Sequence, residues 1–126
     1  MAKGTVLCIE DGPANMALLK HYFECVDDIE MLAATTAEEG LELARARKPG
    51  LILMDIHLPG MSGVEAVAKL REDPETKTIP VIAISADAMP EDIQVAIDQG
   101  FNAYLTKPIR FPVLEGLIEE LMISTE

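Results

Sequence analysis

Short apolar runs alternate along this chain with stretches in which apolar residues recur every three or four positions. Val6-Leu7-Cys8-Ile9, Leu51-Ile52-Leu53-Met54 and Val81-Ile82-Ala83-Ile84 are each four residues long. Unbroken runs of that length, rich in Val, Ile and Leu, are the pattern of strands covered on both faces in a parallel sheet. The intervening periodic stretches predict helices, so the chain reads as five βα units around a mostly parallel sheet.

The first strand is expected at about Thr5 to Ile9, followed by a helix opened by Pro13 and striped by Met16, Leu19, Phe23 and Val26. A second strand, Met31 to Ala34, leads to Thr36 and Glu39 at capping-box spacing and a helix with Leu41 and Ala44 inward, ended by Lys48-Pro49-Gly50. Leu51 to Met54 is the clearest strand and is closed by Asp55; Ser62 and Glu65 then cap a helix whose stripe is Val64, Val67 and Ala68 and whose stop is Asp73-Pro74. The fourth strand is expected at Pro80 to Ile84, and its helix runs from Pro90 to Gly100. A short fifth strand, Ala103 to Leu105, and a helix from about Phe111 to Ile123 with Leu114, Leu117, Ile118 and Leu121 inward complete the pattern. With no internal repeat or linker, residues 1–126 are expected to form a single domain.

Composition narrows the function. The chain has 126 residues, 49% hydrophobic and 25% charged, the balance of a globular fold. Its apolar runs fall far short of the ~20 residues needed to span a bilayer, and the N-terminus lacks the features of a signal peptide. A cytoplasmic location is therefore expected, with no direct membrane partner. Twenty-two acidic residues against ten basic ones give a net charge of −12, which disfavours direct nucleic-acid binding. The same charge suits a cation or a protein with a basic patch. Cys8 and Cys25 are too few for a disulfide framework and are expected to be buried small hydrophobes.

In an open parallel sheet, ligands bind beyond the carboxyl ends of the strands. Here those ends carry Glu10-Asp11, Asp55, Ser85 and Thr106-Lys107. With neighbouring strands ~4.8 Å apart, three carboxylates, a hydroxyl and an ammonium would converge on one cleft. Carboxylates that close repel one another, and a divalent cation resolves the conflict; Mg²⁺ suits all-oxygen ligands and commonly binds through one or two carboxylates and a phosphate group. Lys107 adds a positive charge and Ser85 a hydrogen-bond donor, which together suit a phosphoryl group attacked in line by an Asp carboxylate.

These elements, in this order, resemble the receiver domain of two-component response regulators along essentially the whole chain. Glu10-Asp11 resembles the family's acidic pair and Leu53-Met54-Asp55-Ile56-His57-Leu58-Pro59-Gly60-Met61-Ser62-Gly63 its phosphoacceptor loop. Ser85-Ala86 resembles its hydroxyl-small pair and Lys107-Pro108 its lysine-proline. The resemblance implies a flavodoxin-like, doubly wound sheet of five parallel strands in the order 2-1-3-4-5 with five helices. It also implies that Asp55 is the phosphorylated nucleophile, taking the group from a histidine kinase or a phosphotransfer domain to give an aspartyl phosphate. Mg²⁺ would be held by Asp11 and Asp55 directly, by Glu10 through a water and by the His57 backbone carbonyl. Lys107 would contact the acyl phosphate, with the Lys107-Pro108 peptide cis, and Ser85 and Tyr104 would switch the surface of the fourth helix, fifth strand and fifth helix. His57 and Asp87 occupy positions implied to tune the lifetime of the phosphoryl group.

Gly12 departs from the family pattern, in which many relatives have Asn, and leaves open a different rigidity of the loop beside the metal. The Glu10-Asp11-Gly12-Pro13-Ala14-Asn15 and Ser85-Ala86-Asp87-Ala88-Met89-Pro90 stretches look most like receivers attached to hybrid sensor kinases. The output is therefore expected to pass to a downstream protein or to an output domain of a parent chain, without catalytic turnover of its own. Three other readings compete. A degenerate receiver would bind partners without phosphorylation. A Mg²⁺-dependent phosphatase of the haloacid-dehalogenase type would need a second acid where His57 stands. A flavodoxin-like flavin carrier would place Glu10-Asp11 against a phosphate.

Overall fold

The four-residue apolar runs become the centre of the sheet, and their alternation decides which helices cover which face. In the computed structural model, residues 4–86 and 89–122 are described. Five strands are present: β1 (Gly4–Ile9), β2 (Ile29–Ala34), β3 (Leu51–Asp55), β4 (Val81–Ser85) and β5 (Ala103–Thr106). They alternate with α1 (Pro13–Glu24), α2 (Ala37–Arg47), α3 (Gly63–Glu72), α4 (Pro90–Gln99) and α5 (Phe111–Leu121). The sheet order is β2-β1-β3-β4-β5 with every pair parallel, as expected.

Successive strand residues point to opposite faces, and two separate cores result. Leu7, Ile9, Ile52, Met54, Val81 and Ala83 pack with Ala37, Ala44, Ala66, Val67, Leu70 and Ala96, the inward positions of α2, α3 and α4. Val6, Cys8, Leu51, Leu53, Ile82 and Ile84 pack with Met16, Leu19, Phe23, Leu114 and Ile118 of α1 and α5. Tyr22 stacks on Phe111 with ring centroids 4.8 Å apart and so ties α1 to α5. All five residues of β3 and of β4 are buried, which makes them the structural centre.

Local signals set the helix ends. Ser62 accepts a hydrogen bond from the Glu65 N–H while the Glu65 carboxylate accepts one from the Ser62 N–H, completing the expected capping box. At α2 the Thr36 side chain accepts from the Glu39 N–H, but Glu39 reaches back to the Thr35 N–H, one residue earlier than the box motif requires. Gly100 ends α4 at φ 119°, a left-handed conformation that favours glycine.

The structure corrects several details of the sequence pattern. Val26 lies in the turn after α1, whose buried stripe stops at Phe23. In α3 the buried positions are Gly63, Ala66, Val67 and Leu70, while Ala68 faces solvent, because the stripe is rotated by the close approach of Gly63 to β3. Ile123, the expected end of α5, lies outside the described residues, and α5 ends at Leu121. Cys25 is exposed rather than buried, since it caps α1 beyond the last buried turn; Cys8 is buried as expected. Among the described residues, no helix is long and apolar enough to cross a membrane.

Burial pushes the Cys8 thiol far above its ordinary pKa, with the Glu10 charge acting in the same direction. One thiol per chain, Cys25, should therefore react promptly with an aromatic disulfide reagent at neutral pH, and the second only on unfolding. Counting released thiolate before and after adding denaturant checks this, and prompt release of two equivalents from native protein would contradict it.

Candidate functional site

Parallel register brings the chemistry-bearing residues to one edge of the sheet. Ile9 pairs with Met54, Asp55 with Ile84 and Ser85 with Thr106, so the residues that follow or close these strands stand side by side at the carboxyl edge. Glu10, Asp55 and Ser85 are buried there, whereas Asp11 is exposed. Glu10, Asp11 and Asp55 each offer a carboxylate oxygen within 4.8 Å of the others, the only such acidic cluster of potential metal ligands among the described residues.

The two buried carboxylates are held by specific partners. Asp55 Oδ1 accepts from the His57 N–H at 2.9 Å, and Asp55 Oδ2 accepts from Lys107 Nζ at 2.7 Å. Glu10 Oε2 accepts from the Gly12 N–H at 2.9 Å. Glu10 Oε1 is buried without a hydrogen bond; Lys107 Nζ lies 3.4 Å from it, an ion-pair distance without hydrogen-bond geometry. A buried carboxylate oxygen without a full partner is costly. The cluster thus has one ammonium against three acids, two of them buried, and an oxygen with bonding capacity in reserve. That all-oxygen donor set fits a hard divalent cation such as Mg²⁺.

The loops are shaped to make this possible. A Cβ on Gly63 would come within 2.6 Å of the Asp55 carbonyl oxygen and 2.8 Å of Ile56 Cα, both backbone atoms. Only glycine lets the start of α3 close onto the end of β3, where the Gly63 N–H donates to the Ile56 carbonyl. The Lys107–Pro108 peptide is cis, as the resemblance implies. Gly12 sits at φ −80°, a conformation open to any residue, and gives Glu10 its N–H, but a Cβ there would lie 3.1 Å from Glu10 Oε2, so a larger residue would press on the carboxylate.

The remaining predicted residues lie at the rim. Ser85 and half-buried Tyr104, on adjacent strands, share a cavity of about 160 Å³ with Ile56, His57, Asp92 and Ala96, under α4. The His57 side chain is exposed and supplies the site with its backbone N–H. Asp87 lies outside the described residues. Sequence reasoning missed the His57 N–H and the steric demand at Gly63, for which the Gly63 directly after the capping serine was the available signal.

A doubly wound parallel sheet with its polar cluster at the carboxyl edge defines a flavodoxin-like α/β protein. Within that class the chain belongs to the response regulator receiver domains, whose family model matches residues 6–119. It is 41% identical over 108 residues to the polar-differentiation response regulator DivK of Brucella anthropi, covering 86% of this chain and 87% of the relative. The signal receiver domain of a Syntrophus aciditrophicus signal transduction histidine kinase has a TM-score of 0.83 at 28% identity, covering 94% of this chain and 89% of that one. The receiver domain of a Pseudomonas aeruginosa sensor histidine kinase, solved with a magnesium ion in its active-site cleft, has a TM-score of 0.86 at 24% identity, covering 95% and 98%. The protein is thus a receiver domain of a two-component system, a signalling module, which removes the flavin-carrier and phosphatase readings.

Burial raises the Glu10 carboxyl above the usual carboxylate range, with the Asp55 charge acting in the same direction and the Gly12 N–H and Lys107 opposing. An acid whose pKa is higher in the folded state supports folding fully below its unfolded pKa and loses that support as pH rises through the folded value. In EDTA, Glu10→Gln should therefore gain stability relative to wild type as pH rises from the ordinary carboxylate range toward neutrality. Thermal melts of both proteins across that range check this, and a variant that loses stability relative to wild type as pH rises would contradict it.

Proposed function

We propose that the domain accepts a phosphoryl group on Asp55 from a protein phosphohistidine and relays the change through its α4-β5-α5 surface. The observation that carries this reading is the Asp55 carboxylate, fixed by the Lys107 ammonium at 2.7 Å and the His57 N–H at 2.9 Å, with two further carboxylates alongside. A histidine kinase or a phosphotransfer domain would present the donor imidazole. In the transfer, the N–P bond of the phosphohistidine breaks, an O–P bond to Asp55 forms, and neutral imidazole leaves.

Glu10, Asp11, Asp55 and the His57 carbonyl would hold Mg²⁺, with Glu10 acting through a water. When bound, the ion neutralises charge on the phosphoryl oxygens and relieves the repulsion among the acids. Lys107, which already contacts Asp55, would neutralise the same oxygens. Its ammonium stays protonated: burial lowers its pKa, but the hydrogen bond to Asp55 and the charges of Asp55 and Glu10 outweigh that and raise it. The Asp55 carboxylate is oriented before the donor arrives, which removes part of the entropic cost of transfer.

Ser85 and Tyr104 are proposed as the switch pair, the hydroxyl turning toward the phosphoryl group and the ring moving into the shared cavity beside α4. The net charge of −12 favours basic surfaces on the partners, whether a separate downstream protein or the output part of a parent chain. His57 and Asp87 are proposed to tune the lifetime of the aspartyl phosphate.

Incubation with acetyl phosphate should add the mass of one phosphoryl group to the intact protein in Mg²⁺, with none added in EDTA. Asp55→Asn should add none in either. Intact-mass spectrometry checks this, and unmodified wild type that also fails to bind beryllofluoride would leave a phosphorylation-independent interaction module as the better reading.

A further inference from the structure

At the opposite, amino edge of the sheet, one side chain joins four segments. Arg71, in the last turn of α3, donates from Nε and Nη2 to the Gly100 carbonyl at 3.1 and 2.8 Å. Its Nη1 donates to the Lys77 and Ile79 carbonyls at 3.0 and 2.7 Å, in the segment leading into β4. Its Nη2 also donates to Asn102 Oδ1 at 2.8 Å, and the same oxygen accepts from the Val81 N–H at 2.9 Å. The guanidinium thus uses its planar fork to bind the end of α4, the approach to β4 and the approach to β5 at once.

Among the described residues, the side-chain hydrogen bonds that reach α4 from another element are at its carboxyl end. Gly100, which ends the helix, is held by Arg71, and the next residue, Phe101, is buried with its N–H donating to the Ala96 carbonyl. Further toward the amino end, Ala96 is the single buried side chain of α4, Val95 is 51% exposed and Met89 57%. The cavity shared by Ser85 and Tyr104 is also lined by Asp92, Val95, Ala96 and Gln99 of α4, so it runs beneath the helix up to the residue before the clamp. A helix clamped at its carboxyl end, sparsely buried along its length and undercut by a cavity moves most cheaply by tilting about the clamp.

We propose that Arg71 is the fulcrum of α4: it fixes the carboxyl end of the helix, so that switching at the carboxyl edge of the sheet tilts the amino half instead of displacing the whole element. This rests on the switch reading above. Arg71 acts here as a positioning residue, remote from the phosphoacceptor and in contact with none of its groups.

Amide hydrogen exchange read by mass spectrometry tests the fulcrum, with and without Mg²⁺ and beryllofluoride as the acyl-phosphate mimic. In resting wild type, amides 100–102 should exchange roughly tenfold more slowly than those of 94–97. The mimic should change exchange at 94–97 severalfold and leave 100–102 unchanged. In Arg71→Ala, and in Arg71→Lys, which keeps the charge and loses the fork, the change should spread to 100–102.

Thr76→Ala is the control, since the buried Thr76 hydroxyl donates to the Leu70 and Asp73 carbonyls at the end of the same helix and to none of α4. It should lower stability while keeping the wild-type exchange pattern. Equal changes at both ends of α4 in wild type, or the same spread in Thr76→Ala, would overturn the fulcrum. Bound beryllofluoride is followed separately by its fluorine resonance: absence of binding overturns the switch reading and the fulcrum with it, whereas binding without the predicted pattern overturns the fulcrum alone.

Discussion

Three carboxylates crowded at the end of a parallel sheet are the constraint around which this molecule is arranged. Glu10 and Asp55 are buried, and Asp11 stands beside them with a potential ligand oxygen within 4.8 Å of each. Left alone, such a group would drive the strand ends apart or take up protons. It is held by a single ammonium, Lys107, and by backbone N–H groups of Gly12 and His57. The fully buried β3 and β4 supply the apolar burial that permits this concentration of charge at their margin. Loop geometry follows from the same demand, since Gly63 must bring α3 against the end of β3 for the Asp55 segment to take its course.

Much of this architecture is legible in the chain because its signals are local. Four consecutive apolar residues mark β3 as doubly covered, and Pro13, Pro90 and Gly100 punctuate α1 and α4 where the backbone requires it. The acidic pair, Asp55 and Lys107 are legible as a group because each directly ends or follows an apolar run, and strand ends converge in a parallel sheet. Less legible are features that depend on rotation or contact at a distance. Ala68 has the composition of a core residue, yet the packing of Gly63 against the sheet turns it outward. Cys25 continues the apolar composition of α1 but falls past its last buried turn.

Arg71 shows the limit of the local view most clearly. In the sequence it is one basic residue near the end of an amphipathic helix, where a solvated arginine favourable to the helix dipole would be expected. Its partners lie between six and thirty-one positions away, and burial lowers its pKa below that of a free guanidinium. Every bond but one goes to a backbone carbonyl, a partner that carries no side-chain identity for a sequence reader to recognise.

The division of β3 into two sets of contacts has a further consequence. Leu51 and Leu53 face α1 and α5, while Ile52 and Met54 face α2, α3 and α4, with the hydrogen-bonded sheet between them. A change in side-chain volume on one face is screened from the helices on the other by a wall of paired backbone, and distant sites without shared partners contribute additively to stability. The sheet therefore acts as an insulator between two helical layers. Each layer can drift in sequence under its own packing rules, while both must keep the acidic cluster at the strand ends in place.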